Sequence, residues 1–166
     1  RSTTRMFDPF ARLALPRRFD LTEAAIRRAF LTKVQSAHPD AGGDQDLGAD
    51  ITKARDTLLN PESRADALLL LLGGPAKDAD KSLPPGFLVE IMETREALDA
   101  ALASNATSEL ERLKAWALAE RQNYIQSVSA AFAAGDIKNL RTTLNAWRYV
   151  ERMIEQMDPN TNPLDL

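Results

Sequence analysis

The chain has a single histidine, and it stands in the tripeptide His38-Pro39-Asp40. An imidazole, a rigid ring and a carboxylate in consecutive positions offer hydrogen-bonding groups and one negative charge, but no nucleophile. There is no cysteine in the 166 residues, so disulfides, thiolate metal sites and cysteine nucleophiles are excluded. One imidazole leaves a zinc or haem site almost no ligands, and no glycine-rich phosphate loop precedes a helix. No metal, no cofactor and no enzymatic activity are therefore expected. Glu93 and Glu96 lie one helical turn apart, a spacing common on solvated helix faces. On its own the tripeptide also fits a plain helix end, with His38 near the last carbonyls and Pro39-Asp40 as a turn.

Its position is more informative than its composition. Proline lacks an N–H and its ring clashes with the preceding turn, so a helix arriving from upstream should end near Ala37 or His38. That helix begins at Asp20 or Thr22, and its apolar positions Leu21, Ala25, Ile26, Ala29, Phe30, Val34 and Ala37 recur at three- and four-residue spacing. Arg28, Thr32 and Gln35 fall on the opposite side, with Arg27 and Lys33 on the flanks, which gives the outer surface three positive charges. Beyond the loop Ala41-Gly42-Gly43-Asp44, a stripe of Leu47, Ile51, Ala54 and Leu58 marks another helix, ended by Asn60-Pro61. The two read as an antiparallel hairpin with the tripeptide at its tip.

Helices fill the rest of the chain, and no strand pattern of any length is present. Asp8-Pro9 reads as an N-cap followed by proline at the first helical position, opening a short helix through about Leu15. Residues 62–72 form a fourth helix that becomes apolar all round along Ala67–Leu72 before Gly73-Gly74-Pro75 stops it, so its end should be buried on more than one side. The polar stretch from Ala76 to Ser82 reads as a linker, and Pro84-Pro85 starts a new element. Three helices are expected at about 85–103, 107–134 and 136–157. Ser108 with Glu111 fits a capping box, and Gly135-Asp136 fits a C-terminal glycine followed by the next N-cap. Such short connections favour a three-helix bundle.

Composition sets outer bounds. Hydrophobic residues make up 44% and charged residues 27% of the chain, as in ordinary globular proteins. A formal charge of −3 argues against general affinity for nucleic acid. The longest apolar run is far short of the roughly 20 residues that span a bilayer. No hydrophobic signal core follows Arg1, and a cytoplasmic location is the expectation.

The hairpin resembles a J-domain, the module with which co-chaperones stimulate ATP hydrolysis by heat-shock chaperones of the DnaK type. The likeness rests on His38-Pro39-Asp40 itself, on Phe30–Gln35 before it and on Ile51–Arg64 after it. Two further blocks, Arg64–Gly73 and Leu83–Leu98, resemble the HscB/Jac family of iron–sulfur co-chaperones, which join a J-domain to a C-terminal three-helix bundle. The resemblance implies an all-α, L-shaped protein with a J-domain over 1–74, a linker over 75–84 and a scaffold-binding bundle over 85–166.

By the same resemblance, His38 and Pro39 shape a loop from which Asp40 engages the nucleotide-binding domain of a DnaK/HscA-type chaperone. Arg27, Arg28 and Lys33 add an electrostatic docking face. An aspartate on that loop competes for an arginine of the chaperone through a charge-assisted hydrogen bond contributing roughly 1.5–3 kcal/mol, enough to bias an interdomain latch. Leu88, Val89 and Met92 correspond to the patch that holds an IscU-type cluster scaffold, with Glu93, Glu96 and Tyr149 beside it. The residues alone allow a second reading, since Phe87, Ile91, Thr94, Leu98 and Ala101 form one stripe of that helix and Leu88, Met92, Arg95 and Asp99 another. Two stripes need two neighbours, or one neighbour and one partner. Ala37, Ala41 and Ser36 depart from the family around the loop, and Ala100 replaces an acidic residue of the scaffold face, which implies differently tuned docking at both sites. The alternative is a general J-protein whose bundle binds another client or oligomerises, and dimerisation stays open.

Overall fold

The structure is a computed structural model that describes residues 6–36 and 45–158. Seven helices and no strand occur among the described residues: α1 (Pro9–Arg12), α2 (Glu23–Ser36), α3 (Gln45–Leu59), α4 (Pro61–Leu71), α5 (Phe87–Ser104), α6 (Thr107–Ala134) and α7 (Leu140–Met157). The chain divides into two compact units between Gly74 and Pro75. No described helix is long and apolar enough to cross a membrane.

In the first unit α1, α2 and α4 all pack on α3. Its core holds Phe10 and Leu13 of the α1 region, Phe19, Ile26, Ile51, Ala54, Leu58, Ala65, Leu68 and Leu69. Asp8 caps α1 by accepting from the Ala11 N–H at 3.0 Å, and Pro9 takes the first helical position as expected. The helix is shorter than its sequence pattern suggests, because the chain turns through Ala14 at φ 53° and the Leu15 N–H bonds back to the Phe10 carbonyl at 2.8 Å. Thr22, rather than Asp20, caps α2, its Oγ1 accepting from the Ala25 N–H at 3.1 Å. Asn60 ends the run of α3 and caps α4, with its Oδ1 3.0 Å from the Glu62 N–H and 3.3 Å from that of Ser63. Arg64 reaches back from α4 to donate to the Leu58 carbonyl at 2.7 Å, over the face of Phe19. Burial pulls its guanidinium down to about 10, against the pull of Asp20.

Two apolar expectations in this unit are corrected. Val34 and Leu47, assigned to the core face, are 43% and 44% exposed: they lie at the last turn of α2 and the first turn of α3, whereas the burial falls on Ile26, Ile51, Ala54 and Leu58 further along the two helices. The all-apolar end of α4 buries Leu68 and Leu69 but leaves Leu72 half exposed at the C-cap. Gly73 follows at φ 90°, a left-handed conformation that glycine adopts without steric cost.

The second unit is three helices with a core of Ile91, Leu98, Ala101, Leu113, Ala117, Val150, Met153 and Ile154. A left-handed Asn105 closes α5 and sends the Ala106 N–H onto the Ala101 carbonyl at 3.0 Å, so α6 starts directly at Thr107. Ser108 then lies inside the first turn, and the capping box expected of it with Glu111 does not form. Gly135 ends α6 at φ 71°, as its position suggested. Asp136 is not the next N-cap: residues 136–139 make one more turn, the Asp136 N–H closing onto the Ala131 carbonyl, and α7 starts at Leu140.

Between α6 and α7 lies an ion pair with almost no solvent contact. Arg121 Nε and Nη2 each donate to Glu151 at 2.7 Å, and Trp147 Nε1 donates to the same carboxylate at 2.9 Å. Tyr124 stacks on Trp147 with ring centroids 5.9 Å apart. The segment ahead of α5 is tied to α7: Arg141 donates to the Pro75 carbonyl and Asn145 Nδ2 to the carbonyls of Asp80 and Ser82, each at 2.9 Å.

Candidate functional site

The tripeptide His38-Pro39-Asp40, with Ala37 and Ala41 beside it, lies outside the described residues. What the structure does describe is the helix leading to it. Arg27 and Arg28 are exposed on α2, and Lys33 is half-buried one turn further on. Arg27 spends part of its charge on Glu23, four residues earlier at 2.7 Å. Arg28 and Lys33 have no carboxylate partner among the described residues. The outer face of α2 therefore offers two cations without a carboxylate partner among the described residues and one partly neutralised cation, able to attract an acidic surface at long range.

The second set of sequence-chosen residues gathers on α5. Pro84-Pro85-Gly86 delivers the chain into this helix, with Gly86 at φ 79° and the Phe87 N–H bonded to the Pro84 carbonyl at 3.1 Å. Phe87, Ile91, Leu98 and Ala101 then face the rest of the unit. Leu88, Val89 and Met92 point the other way and are 50%, 65% and 55% exposed. Together with the exposed Glu93 and Glu96 they fall in a helical arc of about 140°, opposite the inward stripe. Of the two stripes read from the sequence, one meets the rest of the unit and the other, Leu88, Met92, Arg95 and Asp99, is exposed. Tyr149 stands apart from that arc. It is half-buried on α7, where it meets the Phe87 ring of α5 edge-on at 5.9 Å.

Sequence reasoning did not single out a cavity of about 140 Å³ on the other side of α5, between that helix, α6 and α7. It is lined by Phe87, Glu90 and Thr94 of α5 and by Trp116, Glu120 and Tyr124 of α6. The signal that could have found it is the aromatic–acidic–aromatic series at four-residue spacing on α6, which places three long side chains on one stripe. Among the described residues no group of three or more His, Cys, Asp or Glu side chains is placed to hold a metal ion.

A helical hairpin unit followed by a three-helix unit is the build of J-type co-chaperones that carry a C-terminal helical domain. Residues 83–158 match the family model described as the HSCB C-terminal oligomerisation domain. A co-chaperone protein HscB homolog of an Azoarcus species is 31% identical over 176 aligned positions, spanning 95% of this chain and 96% of the relative. Another, from Cupriavidus taiwanensis, is 30% identical over 88% of this chain and 89% of its own length. The crystal structure of human co-chaperone protein HscB superposes with a TM-score of 0.81 at 24% identity, covering 99% of this chain and 86% of that one. The chain belongs to the HscB family of co-chaperones.

Proposed function

We propose that this protein serves iron–sulfur cluster assembly by stimulating the ATPase of a DnaK/HscA-type chaperone and bringing an IscU-type cluster scaffold to it. In this reading the loop His38-Pro39-Asp40 engages the chaperone while Arg27, Arg28 and Lys33 steer the approach, and the protein triggers hydrolysis in its partner without performing it. The scaffold seats on Leu88, Val89 and Met92, with Glu93 and Glu96 flanking and Tyr149 at the margin. The compartment is that of the chaperone and scaffold, the cytoplasm of a bacterial cell.

The observation that carries the reading is the outer face of α5. Large apolar side chains left half exposed together on one well-formed helix, in a member of this family, mark a protein contact. Glu93 and Glu96 give that contact an acidic edge. The test is a pull-down of an IscU-type scaffold by the full chain, paired with single-turnover ATP hydrolysis by an HscA-type chaperone. Capture of the scaffold together with faster hydrolysis is expected, and absence of either overturns the corresponding half.

One observation favours a second reading of the same face. The matched family model is described as an oligomerisation domain, so a second copy of this chain is the other candidate to cover Leu88, Val89 and Met92. Sedimentation velocity separates the two: a dimer that dissociates when Leu88 and Met92 are changed to serine assigns the face to self-association.

A further inference from the structure

The cavity beside α5 has the composition of a cation receptor. Three aromatic side chains, Phe87, Trp116 and Tyr124, line it together with the carboxylates of Glu90 and Glu120. Ile91 and Val150, only 2% and 1% exposed, close its apolar floor. No basic side chain lines it, and among the described residues neither Glu90 nor Glu120 has a cationic partner. The Tyr124 hydroxyl is pushed up to about 12, by burial first and then by the negative charge of Glu120. The field inside the cavity is therefore negative.

One wall is fixed before anything binds. Tyr124 stacks on Trp147, whose indole N–H is held by Glu151, which is itself gripped by the Arg121 fork. A ring locked in this way orders little on binding, which preserves affinity. Of the cations that a negative, aromatic-walled space would take, a divalent metal ion is the poorer fit. Magnesium or calcium needs six or more oxygen ligands, and ring faces supply none. An ammonium or guanidinium on an alkyl stem suits this lining: carboxylates and aromatic rings for the charged head, apolar side chains for the stem.

Access is from the flank of the docking face. Glu90 lines the cavity and is exposed, and one turn along the helix it neighbours Glu93, about 60° round, at the acidic edge of the apolar arc. We propose that this cavity receives a lysine or arginine side chain of the protein that docks on α5. This rests on the reading of α5 as a docking helix and adds to it a polar anchor that fixes register, since an apolar patch alone lets a partner slide.

The test uses the full chain and its Glu90→Gln and Glu120→Gln variants, both near-isosteric. The indole N–H of Trp116 is followed by NMR during titration with n-butylammonium and n-butylguanidinium chloride, with sodium chloride at equal ionic strength and n-butanol as controls. The indole of Trp147, which does not line the cavity, serves as internal reference. A saturable shift of Trp116 with either organic cation is expected, absent with both controls and weakened at least about threefold in each variant. An equal response to n-butanol, or no change in either variant, overturns the proposal by showing an apolar slot or no site. In a second arm each variant, with Leu88 and Met92 intact, binds an IscU-type scaffold about tenfold more weakly than the parent. Equal binding by parent and both variants overturns the cavity as an anchor and leaves the docking face standing. Failure of the parent to bind the scaffold overturns the functional reading instead, and the cavity then stands or falls on the small-cation titration.

Discussion

Replacing Leu88 and Met92 together with serine separates a docking face from a core face. Fully burying a leucine or methionine side chain contributes about 1.5–3 kcal/mol. Leu88 and Met92 are 50% and 55% exposed, so about half of that, roughly 0.75–1.5 kcal/mol each, is still available to a partner. The double variant should therefore lose about 1.5–3 kcal/mol of binding free energy, a ten- to 150-fold rise in Kd by the relation of 1.4 kcal/mol per tenfold. Fold stability should fall by no more than the half of each side chain that is already buried, up to about 1.5–3 kcal/mol for the pair, because the propensity difference between serine and leucine is only a few tenths of a kcal/mol and the buried stripe of α5 is untouched. Isothermal titration with an IscU-type scaffold measures the first quantity and urea unfolding followed by circular dichroism the second. A variant that binds like the parent refutes the docking face. So does one that loses more than about 4 kcal/mol of stability, the range of two large-to-small changes in a packed core.

Three further outcomes test other parts of the structure. Changing Glu151 to Gln strands the buried Arg121 guanidinium without its counterion and should cost about 3–5 kcal/mol in urea unfolding, most of it recovered when both residues become methionine; a loss under about 1 kcal/mol would show that the pair is not buried. His38→Gln or Asp40→Asn should abolish stimulation of the chaperone ATPase with helical circular dichroism unchanged, and full stimulation by either would remove the loop from the mechanism. Asp8 gives the first unit an acid-sensitive cap: burial pushes its carboxyl up, but the Ala11 N–H and Arg17 outweigh this and hold it below the usual 3.8. Its folded value is lower than its unfolded one, so it stabilises above about that value and the contribution is lost as pH falls through the lowered one. Asp8→Asn keeps a capping oxygen but not the charge, so its stability deficit at pH 7 should shrink by pH 3, and a deficit that stays constant would refute the charge term.

The helices were legible because their signals are local. Pro9, Pro61 and Gly135 act through their own backbone geometry, and each ends or begins an element where the residue type demands it. Where the sequence misled, the deciding contact lay outside the motif. Ser108 and Glu111 have the right spacing for a capping box, but the left-handed turn at Asn105 starts the helix two residues too early for Ser108 to cap it. Asp136 lost its cap position to the closing bonds of the α6 terminus. Periodicity marked Val34 and Leu47 as core because it records which residues share a face, not how far a neighbour extends over it. The same limit hid the cavity, since the three-residue and four-residue series that line it come from two helices whose register only packing sets.

The two faces of α5 explain why the unit is built unevenly. Helices α6 and α7 pack against each other far more extensively than either packs against α5, and they share the buried Arg121–Glu151 pair and the stacked Tyr124 and Trp147. An ion pair in that position stabilises little more than apolar residues of equal volume would, so its use is better sought in geometry than in energy. It fixes the register of α6 on α7, and with it the wall against which α5 rests. Helix α5 contributes one stripe to the core and keeps its other face free of its own unit. Asn145 holds the strand of chain that precedes it to α7 through Asp80 and Ser82. A helix carried on a rigid pair and pinned at its entrance presents Leu88, Val89 and Met92 in one orientation before any partner arrives. In the proposed docking, that presentation lowers the ordering cost for a partner seated on Leu88, Val89 and Met92.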